Sequence, residues 1–240
     1  MYDFFLGGTD NFPVDRAYAE QNQALVPLIA DVARENRQFI ARAVTWVAGQ
    51  GVEQFIDLGC GLPTAPNTHQ SARAVAREAR VAYVDNDPIV LSRLRTLPPA
   101  DSKGLIIVDR DLREITAVLD RVGQHVDLTA PACLILGSLL HFFPPDAARD
   151  LVARYVAALA PGSYLVLSML NVNATTPAAH GAFDTYRANV APLYSHSLAD
   201  ISGFFGSLEL IPPGVADARQ WDPPRDGRTI VGVGRVSPAR

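Results

Sequence analysis

Five apolar runs, each followed by a turn and a stretch of helical pattern, constrain this chain more than any other feature. They read EQFIDLG, RVAYVD, GLIIVD, ACLILG and SYLVLSML, and alternate with THQSARAVAREA, PIVLSRLRTL, REITAVLDRVG and PDAARDLVARYVAAL. A strand that is wet on one side alternates apolar with polar residues. These runs are apolar almost throughout, the pattern of strands covered by helices on both faces. The alternation predicts a doubly wound, mostly parallel α/β sheet. Right-handed crossovers would set the loops after the strands along one edge, where such sheets bind ligands. At 240 residues and 48% hydrophobic content the chain can bury one such core with a cap.

Upstream, Asp15 to Gly49 reads as helix interrupted at Pro27, where a proline can open a second helix. Leu25, Ile29, Val32, Phe39, Ala43 and Val47 recur at helical spacing and form one apolar stripe. Asn36 falls on that stripe and Arg37 at its margin, so this polar pair needs partners. Downstream of Asn171 the pattern is less regular. It predicts a Thr-Thr-Pro loop, a helical stretch through AFDTYRANV, a short helix at LADISGFF, and a closing hairpin of SLELI and TIVGVGRV around the Pro-rich PPGVADARQWDPP.

Charge and cysteine usage exclude several classes. A net charge of −4 argues against a sequence-independent nucleic-acid binder, which needs a basic surface. Cys60 and Cys133 belong to no CxxC or Cys/His pattern, so no metal site is expected. No signal peptide is visible, and the longest apolar stretch, ACLILGSLLHFF, is too short to span a bilayer. The expectation is a cytoplasmic protein with no membrane partner; no pattern sets its oligomeric state.

The stretch FIDLGCGLPTAPN carries the most chemistry. A strand, then Asp57, then Gly59-x-Gly61, then a helix start suits a nucleotide-type ligand at the strand's carboxyl end, because glycine lets backbone approach the ligand closely. A dinucleotide fold wants a third glycine for the pyrophosphate, and Thr64 stands there instead. Asp57 suits a ligand with an ammonium or a cationic sulfur. The second strand ends at Asp85, placed to accept from a ribose diol, while Asp87 before Pro88 reads as the helix cap. The third puts Asp109 and Asp111 on the same edge, either able to accept an adenine amino group.

From Phe55 to Leu167 the chain resembles the class I S-adenosylmethionine-dependent methyltransferases, PGSYLVLS included. More closely, YDFFLGGTDNF, ENRQFIARAV, DLGCGLPTAPNTH, YVDNDPIVL and LLHFFP resemble an actinobacterial S-adenosylmethionine methyltransferase family, once called a domain of unknown function. Phe5 and Thr9 depart from the Leu and Lys usual in its opening motif. The resemblance implies a Rossmann-like, mostly parallel seven-stranded sheet with helices on both faces and a helical N-terminal lid. Residues 1–50 would be lid and helices, and 51–240 the core, with an acceptor-pocket insert near 171–206. It implies S-adenosylmethionine as cofactor, with Asp57, Gly59 and Gly61 around its methionine moiety and Asp85 on the ribose. Asn86 would lie beside the adenine, Asp111 and Leu112 at the adenine edge, and Gly137 and Ser138 beside the methyl group. Arg37 would face the cofactor's carboxylate, or else be a surface arginine. Two readings of the opening segment stand: a lid in which Gly7-Gly8 turns the chain, Tyr2, Phe4 and Phe5 cover the pocket and Asp10 or Asn11 meets the ligand or starts the next helix, or aromatic core under the sheet.

Methyl transfer from a sulfonium needs alignment and, for a protic acceptor, a base. His141, beyond the fourth strand, is the foremost candidate, with a packing role as its alternative. His69 reads as a helix-packing residue. His180, Tyr186, Tyr194 and His196 lie in the irregular insert and suggest a pocket for an aromatic or polar small molecule. The reading is methyl transfer to a small-molecule acceptor, in specialised metabolism by family analogy alone. A non-catalytic S-adenosylmethionine-binding protein and a nicotinamide-dependent oxidoreductase stay as alternatives. A nucleic-acid methyltransferase would want an Asn/Asp-Pro-Pro-aromatic motif where GSLLHFFPP stands.

Overall fold

The computed structural model describes residues 1–170, 181, 183–184, 186–188, 190–218, 220 and 229–237. His180 lies outside the described residues. Three helices lead the chain: α1 (Tyr2–Phe5), α2 (Pro13–Leu25) and α3 (Ile29–Gly49). The break before α3 falls at Pro27, as the sequence predicts. Then β1 (Gln54–Leu58), α4 (Thr68–Arg73), β2 (Arg80–Asp85), α5 (Pro88–Arg95), α6 (Pro99–Ser102) and β3 (Leu105–Asp109) follow. The second half holds α7 (Ile115–Val122), β4 (Cys133–Gly137), a 3-10 turn at Leu140–Phe142, α8 (Pro145–Ala157), β5 (Tyr164–Leu170), α9 (Leu198–Gly203), β6 (Glu209–Leu210), β7 (Ala216–Asp217) and β8 (Thr229–Arg235).

The sheet runs β3-β2-β1-β4-β5-β8-β6, with β7 also on β8. The first five of these are parallel and the last three antiparallel to their partners. Among the described residues the sheet thus has eight strands where seven were expected. The extra one is two residues inside the Pro-rich segment, too short to show a period. It continues the edge that β6 begins, and between them Pro212 and Pro213 lack the N–H that pairing needs.

Alternate strand residues feed two cores. Ile56, Leu58, Leu134, Leu136, Leu165 and Leu167 pack on one face with α7 and α8. Phe55, Ile135, Val166 and Val231 pack on the other, against Phe39, Ala43, Val44 and Val47 of α3. Val32, Phe39, Ala43 and Val47 of the stripe read from the sequence lie on the buried face of α3, where a large side chain taken from water contributes about 1.5–3 kcal/mol, whereas Leu25 ends α2 and is exposed. The helix after β1 stops at Arg73, short of the predicted stretch, as the chain turns to enter β2 at Arg80. Arg73 holds that turn by donating to the carbonyls of Ala79, Asp101 and Lys103.

Phe5 is buried against Ala19, Ala30 and Ala33, so the opening aromatics pack on α2 and α3 and not under the sheet. Among the described residues no helix is long and apolar enough to cross a membrane.

Two glycines of β8 make room for the buried ring of Phe205. A Cβ on Gly232 would lie 2.6 Å from its Cζ, whereas one on Gly49, at the end of α3, would meet nothing within 4 Å. Urea denaturation should show Gly232→Ala destabilised by about 1–3 kcal/mol, with Gly49→Ala neutral or slightly stabilised. Equal effects would refute this account of the packing.

Candidate functional site

The strand order reverses between β1, which neighbours β2, and β4, so the loops after β1 and β4 part and open a crevice at the sheet's carboxyl edge. The loop after β1 is shaped by two glycines with φ of +61° at Gly59 and +65° at Gly61. A side chain on Gly59 would strike Leu139, 2.6 Å away, while one on Gly61 would enter open space on the cavity wall. Glycine is needed at Gly61 for its backbone angle, and its missing side chain leaves room for a ligand.

Carboxylates from two strands secure this loop. The Gly61 N–H donates to Asp85 Oδ2 at 3.0 Å. Asp87 caps α5, its Oδ1 accepting from the Ile89 N–H at 2.8 Å. The cap that the local sequence assigned to Asp87 is thus present, while Asp85, read there as a ligand contact, is engaged with the loop backbone. Asp57 is buried and its Oδ2 accepts from the Thr68 hydroxyl at 2.5 Å. Burial pushes the Asp57 carboxyl up to about 6, against the pull of Thr68 and Arg37. Burial, with Asp57 and Asp85 close by, raises the Cys60 thiol well above its ordinary range.

A cavity of about 390 Å³ opens above the loop. Of the residues singled out from sequence, Tyr2, Phe5, Asn11, Arg37, Asp57, Gly59, Gly61, Gly137, Ser138, His141 and Tyr186 line it. Gly7, Gly8, Asp85, Asn86, Asp111, Leu112 and Tyr194 stand outside its wall. Asp85 acts on it through Gly61. Asn86 is exposed beyond β2. Asp111 is forked onto Arg113, which lowers its carboxyl below the ordinary value, and the Leu112 carbonyl accepts from Tyr155 Oη at 2.7 Å. Tyr194 donates its backbone N–H to the His141 carbonyl.

Gly137 and Ser138 end β4 under constraint. A Cβ on Gly137 would lie 2.6 Å from Ile40 Cδ1. Ser138 holds a left-handed φ of +52°, a strain of order 1 kcal/mol, kept in place by its N–H bonds to the Ser168 carbonyl and Oγ. His141 is 7% exposed and its Nδ1 has no hydrogen-bond partner among the described residues. Burial and the nearby His196 bring its pKa down to about 4, so the ring is neutral at pH 7. His69 bonds Tyr83 Oη through Nδ1 at 2.9 Å and packs under the loop, while His196 bonds the Phe143 carbonyl away from the cavity wall. Phe142, Leu170, Phe183, Tyr186 and Leu193 form an apolar upper wall.

Arg37 binds protein carbonyls: its Nε and Nη2 donate to Thr64 O at 3.1 and 2.5 Å, and Nη2 to Asn67 Oδ1 at 3.2 Å. Asp3 and Asn36, both on the wall, were not among the site residues expected. Asn36 carried a signal, a polar residue on an apolar stripe. Asp3 accepts from Asn11 Nδ2 at 2.7 Å, and that same amide donates to the Gly8 carbonyl while Arg16 donates to Asn11 Oδ1. A Cβ on Gly8 would fall 1.9 Å from Asp3 Oδ1, so the motif's Asp, Gly and Asn form one interlocked turn. Asp10 ties that turn to α5 through Arg93 at 2.9 Å. Among the described residues no cluster of His, Cys, Asp or Glu could hold a metal ion.

Comparison with known proteins gives this geometry its context. A family described as S-adenosyl methyltransferase matches residues 1–234. A crystal structure of a proposed methyltransferase from Thermobifida fusca YX superposes with a TM-score of 0.91 at 37% identity, covering 99% of this chain and 93% of that one. A DUF574 family protein from Streptomyces avermitilis MA-4680 gives 0.91 at 31% identity, covering 99% and 95%. The carboxy-S-adenosyl-L-methionine synthase of Geobacter sp. strain M21 is 31% identical over 112 residues, 47% of this chain and 42% of that protein, so the match spans less than half of that relative. The departures at Phe5 and Thr9 leave the match intact. With a family match that runs through opening helices, crevice and sheet alike, the chain belongs to the S-adenosyl methyltransferase family and is an S-adenosylmethionine-dependent methyltransferase of the class I, Rossmann-like fold.

Proposed function

We propose that the enzyme methylates a small-molecule acceptor, aromatic or heteroaromatic, held in the apolar upper half of the cavity. The observation that carries this reading is the continuity of one space: the glycine loop and Asp57 form its floor, and Phe142, Phe183 and Tyr186 belong to its upper wall. Its size is in the range of pockets that enclose small ligands.

The residues fit the cofactor. The open space at Gly61 admits a ligand against the backbone. Asp57 offers negative charge to a sulfonium or ammonium, and Asp85 stands at a strand end for the ribose diol. Asn86, Asp111 and Leu112 lie along the adjoining strand ends for the adenine, with Gly137 and Ser138 toward the methyl group. When bound, the cofactor supplies an already activated methyl group. The protein's task is then to align the acceptor, exclude water and take up a proton where the acceptor is protic. Residues 1–12 act as the lid, supported by Tyr2, Phe5 and Asn11 on the wall. His141 takes the proton: it is neutral, buried and on the same wall.

Calorimetric titration with S-adenosylhomocysteine should show saturable binding, weakened about tenfold or more by Asp85→Ala, the scale of a lost hydrogen bond. A folded wild-type protein that binds neither this product nor S-adenosylmethionine would overturn the site assignment.

For His141, phenols and aromatic amines that gain a methyl group by mass supply the assay. His141→Gln should lower kcat by about 10²–10⁴-fold while S-adenosylhomocysteine affinity holds. Because burial sets the Asp57 carboxyl at about 6 and the His141 ring at about 4, kcat/KM should fall first near pH 6 as Asp57 loses its charge, whereas kcat at saturating cofactor should hold until acid protonates the ring toward pH 4. Undiminished kcat in the variant would remove His141 from the chemistry.

A further inference from the structure

Asn36 is 2% exposed, lies on the cavity wall, and leaves its Oδ1 without a hydrogen-bond partner among the described residues. A buried amide oxygen left unmade costs about 1–3 kcal/mol, so a chain that keeps one beside a ligand cavity has a use for it. The hydrogen-bond chain around it sets which end of the amide is free. Tyr2 has one hydroxyl proton and donates it to the Ala33 carbonyl at 3.1 Å. Its oxygen can then only accept, and it does so from Asn36 Nδ2 at 2.7 Å. The amide nitrogen is thereby turned toward the opening segment, and the oxygen is the end left over.

The next residue on α3 has the opposite character. Arg37 spends Nε and Nη2 on Thr64 and Asn67, which follow the glycine loop, and its Nη1 has no partner among the described residues. Two successive residues of one helix thus offer a free acceptor and a free cationic donor, with Asp57 on the same wall. An amino-acid end, with ammonium and carboxylate one carbon apart, is complementary to that pair.

We propose that Asn36 Oδ1 accepts a hydrogen bond from the α-ammonium of the cofactor's methionine moiety, and that Tyr2 is the positioning residue that turns the amide. This rests on the S-adenosylmethionine reading of the cavity. It makes the opening segment part of cofactor recognition as well as a cover, because the amide is oriented only when Tyr2 is seated on α3.

The test compares two ligands that differ in this end alone. S-adenosylhomocysteine carries the amino-acid end; 5′-methylthioadenosine lacks it and keeps adenine, ribose and sulfur. Calorimetry should show Asn36→Ala weakening S-adenosylhomocysteine by about 10–100-fold, the scale for a hydrogen bond to a charged group, with 5′-methylthioadenosine unchanged. Tyr2→Phe should weaken the first ligand by a smaller factor and add nothing in the Asn36→Ala background, the signature of action through one amide. Unchanged methylthioadenosine binding also reports a folded site. Equal loss of both ligands would make Asn36 a structural residue, and no loss of either would leave its oxygen to another group; both outcomes overturn the proposal. If the wild type binds neither ligand, the cofactor reading itself fails, which is a different result.

Discussion

The reversal of strand order at β1 and β4 governs this molecule. Crossovers in a parallel sheet are right-handed, so chain leaving β1 toward β2 and chain leaving β4 toward β5 travel over opposite faces. The loops between them separate, and the space they vacate is the cavity floor. Register does the rest. Leu58 of β1 pairs with Val84 of β2 and with Leu136 of β4, so the strand ends stand level. Asp85, one residue beyond Val84, then meets the Gly61 N–H and holds the turn that its carboxylate would otherwise leave unsupported.

Helix α3 joins the core to the site. Phe39, Ala43 and Val47 bury one side of it against the sheet, while Asn36, Arg37 and Ile40 reach the cavity. A rigid helix of 21 residues packed in this way fixes cavity side chains with little freedom of their own. The opening segment depends on it in turn. Phe5 is buried among alanines of α2 and α3, and the buried Asp3 carboxylate is offset by Asn11, so the segment is seated by apolar packing and by hydrogen bonds together.

The strands were legible because burial on both faces leaves nearly unbroken apolar runs, and the helix starts because Pro88 and Pro145 mark first turns. Asp87 as the cap could be read from that same proline, whereas the bond from the Gly61 N–H to Asp85 could not, because its partners come from two different strands. The eighth strand could not: Ala216 and Asp217 carry no period, and only a partner in β8 makes them a strand. Tyr194 looked like a pocket side chain, yet what it gives the site is a backbone N–H to His141, a contact no side-chain identity encodes. Asp111 is forked onto Arg113, two residues on, a pairing that the acidic strand-end pattern did not signal.

By itself the sequence determined the layers of the sheet, the glycine turn and the acidic strand ends, since each follows from steric freedom or hydrophobic pattern within a few residues. It also marked Asn36 as a polar residue in an apolar stripe, without saying what it meets. The tertiary structure decided that Tyr2, 34 residues away, takes one end of that amide and leaves the other on the cavity wall. It likewise decided that Phe5 packs on helices and not beneath the sheet. Such pairings depend on how far apart in the chain two groups can lie and still be desolvated together, and only the packed fold sets that.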